Sequence, residues 1–320
     1  MTIGQIFELA LKMGIEADPR GKEGVKKYLA RVKKSYDELP EKKKKLFDSE
    51  SLTNPYSDSR VMFGDPKKEV KRVLAGIDAE EAEVLLADRL TEKGQKIDAV
   101  ISHHPLGHAF ASLDEVMDLQ VDVFASWGVP ENVAHALFNE RRAAVKRKIG
   151  PANHGRAVDA ARLLNMSLLS IHTIWDNLGW RFMQDYMDKR KYDTLGDLLD
   201  YLNEIPEFQE SAKGKAGPYI VAGSPNMRAG KVVVGFTGGT NPSKELYMEL
   251  AKAGVGTLVE MHIPEDALEE LKKLHINVID TGHMASDSIG ANIFFDQLEK
   301  QGVEVIPCSG LIRVRRTKKS

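Results

Sequence analysis

The chain contains a single cysteine, Cys308, and has no apolar run long enough to cross a bilayer. One cysteine excludes an internal disulfide framework and favours a reducing compartment. The apolar N-terminal stretch is interrupted by Gln5 and Glu8 and lacks a basic start and a cleavage site, so we expect no signal peptide. These absences predict a cytoplasmic protein that has no membrane partner.

Neither sign of charge dominates the chain, which carries 45 Lys and Arg against 47 Asp and Glu, a formal net charge of −2. No global field therefore attracts nucleic acid, and a nucleic-acid partner is not expected. The lysines at 42–45 and the basic tail at 313–319 are local clusters. A solvated helix end and a frayed terminus, respectively, explain these clusters better than binding patches do.

Strand-like and helix-like patterns alternate along most of the chain. The predicted strands are residues 70–77, 99–102, 167–171, 231–236, 257–261, 276–280 and 304–307. The predicted helices are residues 79–94, 112–149 in several pieces, 156–164, 180–190, 194–204, 243–253, 265–274 and 283–300. Alternation of this kind predicts an α/β fold with two three-layer lobes and mainly parallel sheets.

The chain has 320 residues, a length that suffices for two sizeable hydrophobic cores. Its sequence predicts three parts. Residues 1–53 read as a charged, helical N-terminal extension. Residues 54–210 form a first α/β lobe, and the loop-like segment 211–218 marks the boundary with a second lobe at 211–320. The C-terminal part of that second lobe, from about residue 281, could pack into the first.

Three of the apolar runs end in side chains that can bind a metal. These side chains are His103 and His104, then His172 and Asp176, then His283 and Asp287. Ligands of α/β proteins collect outside the carboxyl ends of the strands, so all three segments should deliver these groups to one rim. His283 and Asp287 are four residues apart at a predicted helix start and share one face.

Each segment alone has an ordinary structural explanation. His103 and His104 could be a polar strand end, Asp176 could cap a helix, and His283 could close a turn. Only the three together predict a metal site. Imidazoles and carboxylates without a thiolate suit Zn²⁺, Fe²⁺, Mn²⁺ or Co²⁺.

Other polar groups are candidates for roles beside such a site. His108 and His172 could carry protons, although a histidine in such a position is more often an ordinary surface or core residue. His262 follows a predicted strand and could border the cleft. The loop 235–242 matches neither the dinucleotide fingerprint nor the P-loop, and we prefer a tight turn with Asn241 as helix N-cap over a phosphate-binding loop.

The three segments occur in the order in which they define a known family. His-His-Pro-Leu at 103–106, His172 with Asp176, and Gly-His-Met-Ala-Ser-Asp at 282–287 resemble the signature segments of the NIF three-like family (interacting factor three). Members of that family are also named type 2 GTP cyclohydrolase I. Gly-Asp-Pro at 64–66 adds to the resemblance, which spans roughly residues 54–312.

The resemblance implies a centre with two divalent metal ions. His103 and His104 would bind different ions, Asp176 would bridge them, and His283 and Asp287 would complete the two shells. The family usually has Glu where this chain has Asp287, so the carboxylate here is one methylene shorter. The resemblance also implies a homo-oligomer, a hexameric ring built from dimers.

Five ligands for two ions leave positions open for water, as in catalytic sites. Water beside such ions becomes more acidic and can attack an electrophilic carbon or phosphorus. The leading hypothesis is therefore a metal-dependent hydrolase of a small, nucleotide-like substrate. The GTP cyclohydrolase activity is implied by the resemblance alone. The alternative is a non-catalytic, metal-binding regulatory or interaction protein, since the family name records a protein interaction.

Overall fold

A computed structural model describes residues 1–316, and the last part of the basic tail, 317–320, lies outside them. The helices α1 to α15 are Ile3–Ala17, Gly21–Asp37, Glu41–Lys44, Glu81–Glu92, Gly107–Ala111, Leu113–Val116, Asp118–Ser126, Glu131–Ile149, Arg156–Leu163, Thr173–Met187, Leu195–Leu202, Pro206–Lys213, Lys244–Lys252, Glu265–Lys273 and His283–Lys300. The strands β1 to β9 are Arg60–Phe63, Arg72–Gly76, Ala99–Ser102, Ser167–Ser170, Tyr219–Ala222, Lys231–Gly235, Val255–Glu260, Asn277–Asp280 and Glu304–Cys308. None of these helices is long and apolar enough to span a membrane.

The nine strands form two sheets. The first has the order β1-β4-β3-β2-β9, and the second has the order β5-β8-β7-β6. Only the edge strands β1 and β5 run antiparallel to their neighbours. The predicted α/β fold with mainly parallel sheets is confirmed, and the last strand of the chain, β9, pairs with β2 in the first sheet.

The helical N-terminal extension is also confirmed. Its first helix, α1, begins with a capping box in which Thr2 and Gln5 exchange backbone-to-side-chain hydrogen bonds. The residues Ile3, Ile6 and Ala10 recur at helical spacing and are fully buried. Burial of this face fixes α1 against the rest of the core, where it contacts α10.

Some boundaries predicted from the sequence are wrong. The helix expected at about 180–190 is α10, which begins at Thr173. Residues 173–180 are all buried, so this part of the helix lacks the solvent-exposed face from which a helical pattern is read. The strands β1 and β5 were not predicted, although strands of the same length, such as β3 and β4, were. Within the segment expected to be a loop, residues up to Lys213 belong to α12.

The predicted frayed terminus is wrong for the tail up to Arg316. Arg313 lies 2.6 Å from Asp296 and 3.0 Å from Glu299, and its side chain is buried. Arg316 lies 2.6 Å from Glu207, which is also buried. Because buried carboxylates require a cationic partner, these residues hold the tail against α12 and α15.

The helices α10 and α15 cross at unusually close range. Gly290 of α15 faces the backbone of α10, and a Cβ atom at this position would overlap the carbonyl oxygen of Trp175. Gly179 of α10 lies opposite, where an added Cβ atom would be 3.6 Å from the Gly290 amide nitrogen, an ordinary van der Waals contact. Both helices begin directly after strand ends, at Thr173 and at His283, so the crossing brings their first turns together.

We expect Gly290→Ala to destabilise the protein by about 2–3 kcal/mol, because the added methyl group must push two helix backbones apart. Urea unfolding measures this loss. The control is Gly155→Ala, at a position with a negative φ where a Cβ atom would meet nothing closer than 3.7 Å. Equal unfolding midpoints for the two variants would contradict the close crossing.

Candidate metal centre

The paired histidines leave the carboxyl end of β3, in the middle of the first sheet. Ladder hydrogen bonds continue past the strand, from the His103 amide to the Gly76 carbonyl (3.0 Å) and from the His104 amide to the Ile77 carbonyl (2.9 Å). Ser102 then donates to the His104 carbonyl (2.9 Å) and fixes the turn before Pro105. The two imidazoles, on adjacent residues, therefore both reach the same cluster.

The first group consists of His103, Asp176 and Asp287. The His103 Nε2 atom lies 3.3 Å from Asp176 Oδ1 and 3.5 Å from Asp287 Oδ1. Its Nδ1 atom faces the Ile171 carbonyl at 3.1 Å, which can only accept a hydrogen bond, so Nδ1 carries a proton. The ring is stacked on Trp175 at 5.4 Å, and this packing fixes its orientation.

The second group consists of His104, His283 and Asp287. The Nε2 atoms of the two histidines are 3.3 Å apart. Asp287 Oδ2 lies 3.2 Å from His283 Nε2 and 3.6 Å from His104 Nε2. Asp78 accepts a hydrogen bond from His104 Nδ1 at 2.5 Å, which directs Nε2 towards the cluster.

His172 joins both paired histidines in a third group. Its Nδ1 atom donates to Asp58 Oδ2 at 2.8 Å, and its Nε2 atom lies 4.0 Å from Asp176 Oδ2. Asp58 is fully buried and also accepts from the Thr173 hydroxyl at 2.7 Å. This pair fixes the tautomer of His172 and leaves Nε2 available to the cluster.

Asp287 shows that these residues suit a cation. It is 2% exposed, and among residues 1–316 neither carboxylate oxygen has a hydrogen-bond partner. Burying a charged group is costly unless the group forms an ion pair or binds a metal. Three imidazole nitrogens and two carboxylates surround this point, which is a donor set that divalent transition metals prefer.

Asp287 is also the carboxylate that faces both groups, with one oxygen towards His103 and the other towards His104 and His283. Asp176 faces His103 and His172 instead. The bridging role implied for Asp176 stays a prediction, and the distances favour Asp287 for it.

The first group holds a proton where an ion would bind. Burial alone would lower the pKa of His103, but Asp287 and Asp176 outweigh it and raise this pKa well above its usual value. Burial would raise the pKa of Asp287, yet His103 above all holds it far below its usual value. Burial lowers the pKa of His283 to about 4, so this imidazole is neutral and able to bind a metal.

The structure does not bring every candidate to the cluster. His108 is exposed on α5 and belongs to none of the three groups, so its catalytic role stays a prediction without geometric support. His262 does border the site, with its ring centroid 4.6 Å from that of His283. Asn241 is not a helix N-cap, because α13 begins at Lys244 and the Asn241 side chain donates to the His262 carbonyl instead.

Sequence reasoning missed the two aspartates that orient the histidines. Asp58 lies in a segment read only as a turn, and no local pattern connects it to a histidine 114 residues later. Asp78 could have been found, because it follows the end of β2 just as the histidines follow β3. The structure also explains why the third segment contains a glycine. Gly282 has a φ of 84°, a left-handed conformation that glycine adopts without strain.

The cluster lies between two cavities. One is lined by Asp176 and Asp287, together with the loop 236–242, Gln120 and Glu260. The other, of about 620 Å³, is lined by His104 and by residues of α5 and α9. His172 and His283 line both cavities, so molecules can reach the cluster from two sides.

Comparison with known proteins gives likenesses in structure rather than in sequence. No protein-family model matches the chain, and no curated protein matches it. The crystal structure of a NIF3 superfamily protein from Sphaerobacter thermophilus is 28% identical and has a TM-score of 0.76, over 97% of this chain and 99% of that one. Reduced HcgD from Methanocaldococcus jannaschii is 14% identical with a TM-score of 0.50, over 77% of this chain and 87% of that one, and shares the fold alone.

We expect Asp287→Asn to weaken the binding of Zn²⁺ and Mn²⁺ in both groups. Loss of an outer partner of a metal ligand costs about 10–100-fold in affinity, so loss of the carboxylate that faces both groups should cost more. Asp176→Asn leaves the second group intact and should retain part of the metal. Calorimetric titration and elemental analysis measure both effects.

The control for these two variants is Asp185→Asn, which removes an exposed charge further along α10. Its metal content should equal that of the unaltered protein. Equal losses in Asp287→Asn and Asp176→Asn would contradict the central position of Asp287.

We expect Asp58→Asn to weaken metal binding by about 10–100-fold, because an amide in place of the carboxylate no longer fixes the His172 tautomer. Competition with a chromogenic chelator measures the affinity, and thermal unfolding checks that the variant is folded. The exposed Asp65→Asn is the control. Matching affinities in the two variants would show that His172 does not contribute to metal binding.

Proposed function

We propose that this protein, which has the NIF3 superfamily fold that its three segments predicted, is a metal-dependent hydrolase of a small, nucleotide-like substrate. One observation carries the proposal: a buried carboxylate without a hydrogen-bond partner, Asp287, is surrounded by imidazoles that remain accessible. The side chains of His104 and His283 are 28% and 36% exposed. Structural metal sites are closed, whereas catalytic sites keep positions open for water and substrate.

The residues that would hold divalent ions are His103, His104, Asp176, His283 and Asp287, with His172 beside them. When bound, such ions act as Lewis acids that polarise a substrate oxygen and make water more acidic. His172 is suited to carry a proton, because Asp58 holds its Nδ1–H and its Nε2 atom faces the cluster. Asp58 stabilises the imidazolium that forms when Nε2 accepts a proton.

The loop after β6 supports a substrate with an anionic group. The backbone amides of Gly238 and Gly239 have no acceptor within hydrogen-bonding distance among residues 1–316. Gly239 lines both cavities and therefore lies beside the cluster. An unpaired backbone amide beside a cavity can donate to a phosphate, which supports the phosphate-binding interpretation of this loop.

The test is hydrolysis of a panel of nucleotides, GTP among them, and of phosphoesters by protein loaded with Zn²⁺, Mn²⁺, Fe²⁺ or Co²⁺. We expect turnover that requires a metal and falls at least about 100-fold in Asp176→Asn and Asp287→Asn, since removal of one catalytic electrostatic contact typically costs about 10²–10³ in rate. Asp185→Asn should keep full activity. Chromatographic separation of the products measures the rates.

Turnover that survives in both variants would contradict the proposed mechanism. If no metal supports turnover although nucleotides still bind, the non-catalytic alternative is favoured.

A further inference from the structure

A third carboxyl group, that of Glu260, lies in the wall of the cavity that Asp176 and Asp287 line. Glu260 ends β7, in register with Gly235 of β6 and Asp280 of β8. The residue is 5% exposed. Gly235 leaves the space that the carboxyl group occupies, because a Cβ atom there would overlap Glu260 Oε1.

This carboxyl group has no partner in the part of the chain that the structure describes. The hydrogen bonds of Glu260 are made by its backbone carbonyl, to the amide and hydroxyl of Thr281. Burial, with a smaller contribution from Asp280, raises the pKa of Glu260 well above its usual value. A carboxyl group in a cavity wall without a protein partner is available for hydrogen bonds to a ligand.

Gln120 provides a second, independent acceptor in the same cavity wall. It lies on α7 and is 4% exposed, and its Nε2 atom donates to the Thr240 carbonyl at 2.5 Å. This contact fixes the orientation of the side-chain amide. The other amide atom, Oε1, has no hydrogen-bond partner among residues 1–316. Two unpartnered acceptors therefore line one cavity, and neither belongs to the metal cluster.

The cavity wall also presents aromatic and apolar side chains. They include Phe124, Trp127, Phe236 and Met261, among polar residues such as Thr237 and His262. Planar rings pack well against aromatic side chains. The cavity thus combines aromatic surface with a carboxyl group and an amide oxygen that have no hydrogen-bond partner among the described residues.

We propose that Glu260, with Gln120 beside it, binds an amidine-type edge of a planar heterocycle, a ring nitrogen flanked by an amino group. This assignment rests on the proposed function, in which the other end of the same substrate reaches the metal cluster. A carboxyl group and a cyclic amidine form two parallel hydrogen bonds whichever of them carries the proton, and such paired contacts are specific as well as strong. Gln120 Oε1 accepts the second N–H of the amino group.

The test compares two probes that differ by one amino group, 2-aminobenzimidazole and benzimidazole, titrated calorimetrically into metal-loaded protein. We expect the unaltered protein to prefer 2-aminobenzimidazole. Glu260→Gln should weaken that probe by about 10–100-fold, as expected for loss of a hydrogen bond to a charged group, and leave benzimidazole and the metal content unchanged. The exposed Glu265→Gln on α14 is the control.

A second variant keeps the test decisive if Glu260→Gln folds poorly. Gly235→Ala fills the space of the carboxyl group from the neighbouring strand and should cause the same selective loss. Equal affinity of the unaltered protein for both probes, or an equal loss of both probes in Glu260→Gln, would overturn the assignment. Because binding is measured without turnover, this result is distinguishable from failure of the hydrolase proposal.

Discussion

The close crossing of α10 and α15 is the contact on which the metal site depends. Gly290 lets the backbone of α15 approach the Trp175 carbonyl of α10, and this close approach sets the separation of the N-terminal parts of the two helices. Asp176 lies in the first turn of α10 and Asp287 directly follows the first turn of α15, and both reach the Nε2 atom of His103. Larger residues at the crossing would hold the helices apart and separate the carboxylates before any ion could bind them. The packing of apolar helix faces therefore places the charged groups.

The electrostatics of the cluster follow from this placement. Two carboxylates in a buried space raise the pKa of the imidazole between them, so a proton on His103 offsets part of their charge. A divalent ion would compete with that proton for the same nitrogen and oxygen atoms. The second group has a neutral His283, whose pKa burial lowers to about 4, and is ready to bind without losing a proton. Metal binding would therefore displace a proton from the first group but not from His283 in the second, although the two groups share Asp287.

The sequence could predict the parts of the site that follow a local rule. A buried strand that ends in a metal-binding side chain is visible in residues 99–104, 167–172 and 277–283, and the parallel sheets bring those ends together. What could not be predicted depends on contacts distant in the chain. Asp58 meets His172 only because the antiparallel edge strand β1 pairs with β4, and this pairing joins segments that are distant in the chain. The sequence indicates only that Glu260 belongs to a strand. That its carboxyl group lies beside Gly235 in a cavity wall, without a hydrogen-bond partner, can be found only from the structure.

The path of the chain explains why the site cannot belong to one lobe alone. The helix α15 starts at β8 of the second sheet, and the strand that follows it, β9, pairs with β2 of the first. Asp287 is therefore attached to both sheets, while His103, His104 and His172 all follow strands of the first. Ion pairs from Arg313 to Asp296 and Glu299 then hold the C-terminal segment against α15 after the last strand. Because α15 follows β8 of the second sheet and precedes β9 of the first, the position of Asp287 relative to the histidines depends on both sheets.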